Sequence, residues 1–354
     1  MLAHAQLLST DPAAGTVVQA APAQVTLIFS EPVTPAGFGI KVYGPSGGQV
    51  AGPVESHAAV MSTVLAATEK GTYVVLWQVY AADTHPSRGA FEFSVGAVST
   101  NPYSGLLDQA SAGTSTPLGI ALQATSRWLH FIGFALVFGL IAFGVLTGSR
   151  APSRLVNAGL ILLVAAEPLA LVAQLASLSF DSDTALAVLG SPFGRILGLR
   201  LGAALLAWSL IASQRPWPVL AVGAGITLLD GLSAHAIPSV PLAGQLLAAV
   251  HVGAMGLWVG GLLGFVRAPD PRFVRYAAWT FSVAVLSGLV LAAVHTKVAT
   301  ELLSTDYGRV LLLKAVVVGA AVFMAVIGRH RRELAVAVLV LALATVLAAL
   351  PPPF

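Results

Sequence analysis

Three residues in the N-terminal quarter of the chain are candidate metal ligands by their type and spacing. Asp83 and His85 form an Asp-x-His pair, and alternate residues of an extended segment point to one face. His4 follows residues 1–3, which resemble the end of a signal peptide, so we expect His4 to begin the mature chain with a free α-amine. Two imidazoles, an amine and a carboxylate suit Cu(II). The alternatives are an ordinary loop and a natural start at Met1.

Four more histidines lie in the predicted outer half of the apolar remainder of the chain: His130, His235, His251 and His295. Ionisable residues inside a membrane are costly and usually functional. Met255 follows His251 by one helical turn, and a thioether beside an imidazole suits Cu(I). His130 and His251 could instead be the axial ligands of a b-type haem. The simplest alternatives are hydrogen bonding between helices for the histidines and packing for Met255.

Composition limits the classes of protein to consider. Hydrophobic residues make up 56% of the 354 residues and charged residues 9%, whereas soluble domains carry roughly 25% charged residues. Cysteine is absent, which excludes disulfides, thiolate metal sites and cysteine nucleophiles. The net charge of +3 arises from arginines that lie mostly in short loops, so it indicates membrane topology and no nucleic-acid partner.

Residues 4–95 alternate apolar and polar side chains in short runs bounded by proline and glycine, such as 24–29 and 72–77. This period of two predicts an all-β sandwich or barrel, cupredoxin-like or a Greek key of the immunoglobulin type. We expect its core to include Phe29, Val42, Trp77, Phe91 and Phe93.

Residues 96–118, rich in glycine, serine and threonine, are predicted to be a linker. Residues 119–350 then predict an all-α membrane domain of eight spans, at about 120–147, 154–178, 193–213, 217–236, 242–266, 273–297, 307–327 and 332–350. With the β-domain outside, the arginine-rich loops at 150–154, 215, 267–275 and 329–332 lie inside. Both termini are then outside.

Two motifs recur in the helical part. His130-x5-Leu-x2-Gly139 matches His251-x5-Leu-x2-Gly260, and the aromatic-Gly-Arg motif at residue 193 matches the one at residue 307. These matches predict two parallel four-helix repeats, at about 120–236 and 242–350, related by a pseudo-two-fold axis along the membrane normal. His130 and His251 are then equivalent positions, each about 15 Å below the outer surface.

Charged residues inside or at the ends of the spans have two interpretations. Arg195 and Arg309 lie at predicted outer helix starts, and Arg200 and Lys314 lie one to two turns deeper. These cations could extend to the membrane surface along their apolar stems. Alternatively, Glu167, in the middle of the second span, pairs with Arg200 and holds the two halves in register.

The β-domain resembles the periplasmic copper protein CopC. The resemblance rests on the segments 4–15, 29–33 (Phe-Ser-Glu-Pro-Val), 77–86 (Trp-Gln-Val-Tyr-Ala-Ala-Asp-Thr-His-Pro) and 91–95. It implies that His4, Asp83 and His85 hold Cu(II), with Glu31 beside them.

The membrane domain is similar to the CopD copper-resistance and uptake proteins. The similarity rests on Trp128-Leu-His130, His251 with Leu257-Trp-Val-Gly-Gly261, the two aromatic-Gly-Arg motifs and Arg275. Fusions of CopC to CopD occur in that family. The resemblance to the CopD family implies copper import from periplasm to cytoplasm. The expected location is the bacterial inner membrane, with periplasmic copper donors and cytoplasmic copper acceptors as further partners.

Three functions are consistent with these observations, and copper uptake without an enzymatic step is the first. In it, Cu(II) captured outside passes His235 and His295 and then His130 and His251. No nucleotide-binding motif G-x-x-x-x-G-K-[ST] occurs in the sequence. The alternatives are a haem-b redox protein or copper reductase, and a copper sensor or store.

Overall fold

The computed structural model describes residues 5–66, 68–81, 86–109, 117–178, 180, 182–234, 240–296, 298 and 300–350. Four predicted site residues, His4, Asp83, His85 and His235, lie outside them. The described residues form two compact units. One comprises those of Leu2–Gly119 and Gln174–Phe193, and the other those of Ile120–Ala173 and Gly194–Phe354.

Eight strands form two four-stranded sheets in the first unit. They are β1 (Leu7–Asp11), β2 (Val17–Val18), β3 (Gln24–Phe29), β4 (Val33–Tyr43), β5 (Ala51–His57), β6 (Val60–Leu65), β7 (Gly71–Ala81) and β8 (Pro86–Val95). One sheet has the order β1-β3-β6-β5, and the other the order β2-β8-β7-β4. All pairs are antiparallel except β2 with β8. The predicted β-sandwich is confirmed.

The core of the sandwich follows from the alternation of side chains along the strands. In β3, the alternate residues Val25, Leu27 and Phe29 are buried, while Gln24 and Ile28 are exposed. All five predicted core residues belong to one buried cluster. Burying each large apolar side chain contributes about 1.5–3 kcal/mol, so the two sheets are held face to face mainly by these residues.

The start of the segment predicted to be a linker is attached to the β-domain. The Asn101 side-chain amide donates to the carbonyl oxygens of Tyr43, Gly44 and Thr72 at 3.2, 2.9 and 2.9 Å. Tyr103 stacks on Tyr43 with ring centroids 3.9 Å apart, and a short helix follows, α1 (Gly105–Gln109). This part of the segment predicted to be a linker is therefore held against the β-domain, because one asparagine anchors it at three backbone oxygens.

The second unit contains the long apolar helices. They are α2 (Pro117–Phe134), which continues through a π-helical turn (Ala135–Gly139) into α3 (Leu140–Thr147), then α4 (Ser153–Ser177), α6 (Pro192–Ile211), α7 (Pro216–Leu232), α8 (Pro241–Arg267), α9 (Phe273–His295), α11 (Asp306–Val326) and α12 (His330–Ala349). Two short helices complete the chain, α5 (Ser182–Gly190) and α10 (Glu301–Ser304).

Seven helices in the described part are long and apolar enough to cross a membrane, counting α2 to α3 as one. The predicted fourth span corresponds to α7, an apolar helix that is shorter than these seven. The chain is a multi-pass membrane protein.

The first and fifth spans touch backbone to backbone at two glycines. A methyl group on Gly139 would overlap the Gly256 carbonyl oxygen and the Gly260 Cα, and a methyl group on Gly260 would overlap the Ala135 carbonyl oxygen and the Gly139 Cα. Ala135 and Gly256 are 121 residues apart, as are Gly139 and Gly260. The contact is therefore reciprocal, as a two-fold relation between the halves requires, and small residues allow this close approach.

Gly260→Ala should destabilise the helical unit, because its methyl group would force the two spans apart. Overpacking of this kind costs about 1–3 kcal/mol, so the midpoint of thermal unfolding in detergent should fall by several degrees. Gly319→Ala is the matched control, since a Cβ at Gly319 in α11 meets no atom within 4 Å. Equal midpoints for the two variants would contradict the close helix contact.

Candidate functional site

Four ionisable side chains meet inside the helical unit: His130 from α2, Glu167 from α4, Arg200 from α6 and Asp230 from α7. His130 Nδ1 lies 3.3 Å from Glu167 Oε1, and His130 Nε2 lies 3.2 Å from each Asp230 carboxylate oxygen. Arg200 Nη2 lies 2.7 Å from Asp230 Oδ1. The side chains of His130, Glu167 and Asp230 are at most 7% exposed. One helix from each of the first four predicted spans thus contributes to a single buried cluster.

Local helix packing brings these side chains together. Gly133, one turn after His130, faces Gly159 and Leu163 of α4 so closely that a Cβ would lie 2.8 Å from the Gly159 carbonyl oxygen. This close packing lets His130 reach Glu167. The π-helical turn begins shortly afterwards, at Ala135, and π-helical turns inside α-helices frequently occur at functional sites.

The predicted pairing of Glu167 with Arg200 is wrong. Glu167 contacts His130, and the Arg200 guanidinium contacts Asp230 and donates to Ser233 Oγ at 2.5 Å. Both pairs lie within the first predicted repeat, so neither holds the two halves in register. Asp230 was missed, although a carboxylate within the apolar run 226–232 is as unusual as Glu167 and could have been recognised in the same way.

His251, the counterpart of His130 in the second predicted repeat, has a different environment. Its Nδ1 lies 2.8 Å from the Ala284 carbonyl oxygen and 3.1 Å from Ser287 Oγ. A carbonyl oxygen only accepts, so Nδ1 carries the hydrogen and Nε2 keeps its lone pair. Ser287 follows His251 by 36 residues and Glu167 follows His130 by 37. A neutral hydroxyl therefore stands where the first half has a carboxylate.

The remaining predicted residues of the helical unit do not join the cluster around His130. Met255 is buried in the apolar cluster of the second half. His295 Nδ1 lies 3.4 Å from the Tyr307 hydroxyl. Arg195 and Arg309 are exposed, and Lys314 is close enough to His251 to act on it electrostatically. Within the described ranges, no three His, Asp or Glu side chains surround a common metal position.

The haem alternative has no support in this arrangement. An axial ligand needs a ring nitrogen directed at the iron. Carboxylate oxygens lie within 3.3 Å of both ring nitrogens of His130, which leaves no space beside either nitrogen for a macrocycle.

In the β-domain, the described neighbours of His4, Asp83 and His85 converge on one turn, residues 30–33. Gln6 N–H donates to Ser30 Oγ at 3.0 Å, and Ser30 N–H donates to the Gln6 carbonyl oxygen at 2.9 Å. At the other end of the turn, Val33 pairs with Ala81, the last residue of β7. Residues 82–85 connect β7 to β8, and the turn contains Glu31. Described residues close in sequence to the predicted ligands, Gln6 and Ala81, are therefore bonded to the same turn.

An apolar groove lies beside this turn, within the same unit. It is lined by Pro32, Val33, Thr34, Tyr80, Ala81, Pro192 and Phe193. Burial raises the pKa of Tyr80 above its ordinary value, so its hydroxyl stays protonated at neutral pH.

The short helix α5 packs on β4, and the Arg88 guanidinium donates to the Leu178 carbonyl oxygen at 3.3 Å. Residues between the second and third spans thus cover part of the β-domain.

Comparisons with known proteins match both parts of the chain. The CopC domain family matches residues 7–96, and the family described as copper resistance protein D-like, N-terminal domain, matches residues 118–238. The protein YobA of Escherichia coli K12 is 39% identical over 98 residues, covering 26% of this chain and 79% of YobA. The chain belongs to the CopC–CopD fusion proteins.

A relative from another bacterium aligns with nearly the whole of this chain. Copper transport protein CutJ of Bacillus subtilis is 26% identical over 414 residues, which cover 99% of this chain and 75% of CutJ. Its name and the matched families place the fusion among copper-handling proteins of transport and resistance rather than among enzymes.

Solved structures similar to the β-domain come from two sources. CopC from Methylosinus trichosporium OB3b is 29% identical and covers 28% of this chain and all of that one, with a TM-score of 0.25. PcoC, a methionine-rich copper resistance protein from E. coli, is 31% identical and covers 26% of this chain and 98% of that one, with a TM-score of 0.24.

Asp230→Asn should strongly destabilise the helical unit, because the partly buried Arg200 guanidinium loses its counter-ion. Breaking such a pair from one side costs about 3–5 kcal/mol. The double variant Asp230→Asn/Arg200→Gln should recover most of this loss, since no uncompensated charge remains. Unfolding midpoints in detergent measure both, with Asp306→Asn at an exposed pair as the control. If the double variant is no more stable than the single one, Asp230 and Arg200 do not form the ion pair described.

Proposed function

We propose that this CopC–CopD fusion takes up copper across the bacterial inner membrane. The β-domain captures Cu(II) with the His4 amine and imidazole, Asp83 and His85, and the ion then passes to histidines of the helical unit. The observation that carries the capture step is the turn 30–33, which is bonded at one end to the residues after His4 and at the other to the strand before Asp83.

The donor set of the capture site is suited to Cu(II). Nitrogen and oxygen ligands favour this ion in tetragonal geometry, and a chain without cysteine offers no thiolate. Glu31 lies in the turn between the two attachment points, where its carboxylate can hydrogen-bond a ligand and orient it.

The membrane path uses the histidines of the predicted outer half. His235 and His295 receive the ion near the outer surface, and His130 and His251 take it further. For His251 the supporting contact is the bond from Nδ1 to the Ala284 carbonyl oxygen, because metal-binding histidines commonly donate one ring N–H to such an acceptor and bind through the other nitrogen. Met255 lies one turn away on the same helix, within the buried apolar cluster of the second half.

The proposed direction of transport starts from the side that carries the β-domain. The charges of the loops support a periplasmic position for the β-domain and the C-terminus, because arginines cluster in the connections predicted to lie inside. Periplasmic copper donors then load the β-domain and cytoplasmic acceptors receive the ion. CutJ, which aligns with nearly the whole chain, is named a copper transport protein.

Adding residues before His4 should weaken Cu(II) binding by the β-domain at least tenfold, because an acylated amine is a poor ligand. Cu(II) titrations of full-length protein with and without a two-residue extension, followed by electron paramagnetic resonance, measure the effect. Equal affinity and unchanged spectra would remove the α-amine from the site.

Cells that express the protein with a signal peptide should accumulate more copper than cells without it. His130→Ala/His251→Ala should abolish this gain at equal expression, because the path loses both inner ligands, while Cu(II) binding to the β-domain stays intact. His57→Ala, at an exposed position of β5, is the matched control. If cells with the wild-type protein accumulate no more copper than cells without it, the result contradicts transport and favours a copper sensor or store.

A further inference from the structure

We infer that His130 and Asp230 form a Cu(II) site within the membrane, in which Glu167 orients the imidazole and Arg200 competes with the metal for Asp230. This inference rests on the proposed uptake function and specifies its inner site. It adds Asp230 as a ligand, and it assigns different roles to the two histidines that the repeat makes equivalent.

The orientation of the imidazole follows from its two neighbours. An ionised carboxylate accepts hydrogen bonds and donates none. The Glu167 carboxylate, 3.3 Å from Nδ1, favours a hydrogen on that nitrogen by charge, and the lone pair of Nε2 then faces Asp230, whose two oxygens are both 3.2 Å away. The Nε2 lone pair and a carboxylate oxygen are both hydrogen-bond acceptors. They approach this closely only with a positive charge between them, either a proton or a metal ion. A carboxylate that orients a metal-binding histidine is a common arrangement.

The spacing of the donors fits a first-row divalent ion. Zinc, the neighbour of copper in this row, holds imidazole nitrogen and carboxylate oxygen at about 2.0–2.2 Å. Two such ligands at a right angle lie about 3 Å apart, close to the 3.2 Å between His130 Nε2 and Asp230. Glu167 lies at the opposite ring nitrogen, so it orients the ring and does not bind the same ion.

Arg200 provides the charge that the metal replaces. Its guanidinium lies 2.7 Å from Asp230 Oδ1, and it also donates to Ser233 Oγ and to the Leu229 carbonyl oxygen. Glu167 and Asp230 together carry two negative charges, which balance one Cu(II) when Arg200 withdraws from Asp230. Arg127, on the same helix as His130, also acts electrostatically on Asp230. Removing the Arg200 charge should therefore tighten metal binding.

The second half lacks the corresponding charges. Ser287 stands near His251 where Glu167 stands near His130, and the cation Lys314 acts on His251. A divalent cation is disfavoured near a positive charge and where no carboxylate balances it. Among the described residues, the charges therefore favour tight Cu(II) binding in the first half, and His251 in the second half passes the ion on without holding it at equilibrium. The nitrogen and oxygen donors of the first half match those proposed for capture outside, so the ion needs no reduction between the two sites.

The test is the number of Cu(II) ions bound by the full-length protein in lipid nanodiscs, measured by equilibrium dialysis and electron paramagnetic resonance. Wild-type protein should bind two, and His85→Ala should keep the membrane ion. Asp230→Asn/Arg200→Gln, chosen because it leaves no unpaired buried charge, should keep the outer ion and lose the membrane ion. Arg200→Gln alone should bind the membrane ion at least fivefold more tightly. Ser287→Ala, in the second half, is the control and should bind two.

Two Cu(II) ions in the Asp230→Asn/Arg200→Gln variant, or one ion in His85→Ala/Asp230→Asn/Arg200→Gln, would overturn the membrane site. The proposed uptake fails separately. If the wild-type protein binds both ions and vesicles containing it accumulate no copper, the site stands and transport does not. If copper accumulates and Asp230→Asn/Arg200→Gln leaves the rate unchanged, uptake stands and the membrane site does not.

Discussion

A charged side chain inside a bilayer is stable only when a partner of opposite charge or a hydrogen-bonding group lies next to it. In the first half of the helical unit this constraint determines where four helices lie, because His130, Glu167, Arg200 and Asp230 each come from a different helix. None of these side chains can move without leaving another one uncompensated. The same constraint makes the cluster sensitive to a cation, since an added positive charge changes which pairs are favourable.

The two halves share a framework and differ in chemistry. Their backbones meet reciprocally at Gly139 and Gly260, where only glycine allows helices to approach so closely. Nine residues before each glycine lies a histidine, but His130 faces two carboxylates, whereas His251 faces a hydroxyl and a backbone carbonyl. In this duplicated framework, one histidine lies beside carboxylates and the other beside uncharged groups. The protein therefore has two positions with different affinities for a cation.

Much of the architecture could be predicted from the sequence because its signals are local. Period-two alternation identified the β-sandwich and its core, and long apolar runs identified the spans. Local patterns do not reveal a single side chain with several distant acceptors, so the attachment of Asn101 to Tyr43, Gly44 and Thr72 was missed.

Side-chain partners inside the membrane were harder to predict than the helices that carry them. Glu167 and Arg200 were recognised as unusual, but their partners depend on how four helices rotate and pack. The wrong pairing arose because Asp230 was not counted among the buried charges. A count of every ionisable residue in the first four spans would have included Asp230, and hence would have indicated a second carboxylate that needs a partner.

The account centres on copper that stays in the Cu(II) state between nitrogen and oxygen ligands. The most direct measurement is copper entry into proteoliposomes that contain the full-length protein and a fluorescent Cu(II) chelator in the lumen, with Cu(II) outside and no reductant. The account predicts that luminal fluorescence is quenched without any reductant, and that added ascorbate slows the quenching because it reduces the external Cu(II) to Cu(I). Quenching no faster than in protein-free liposomes without reductant, together with copper entry by metal analysis only after ascorbate is added, would contradict it, because the ion would then cross as Cu(I).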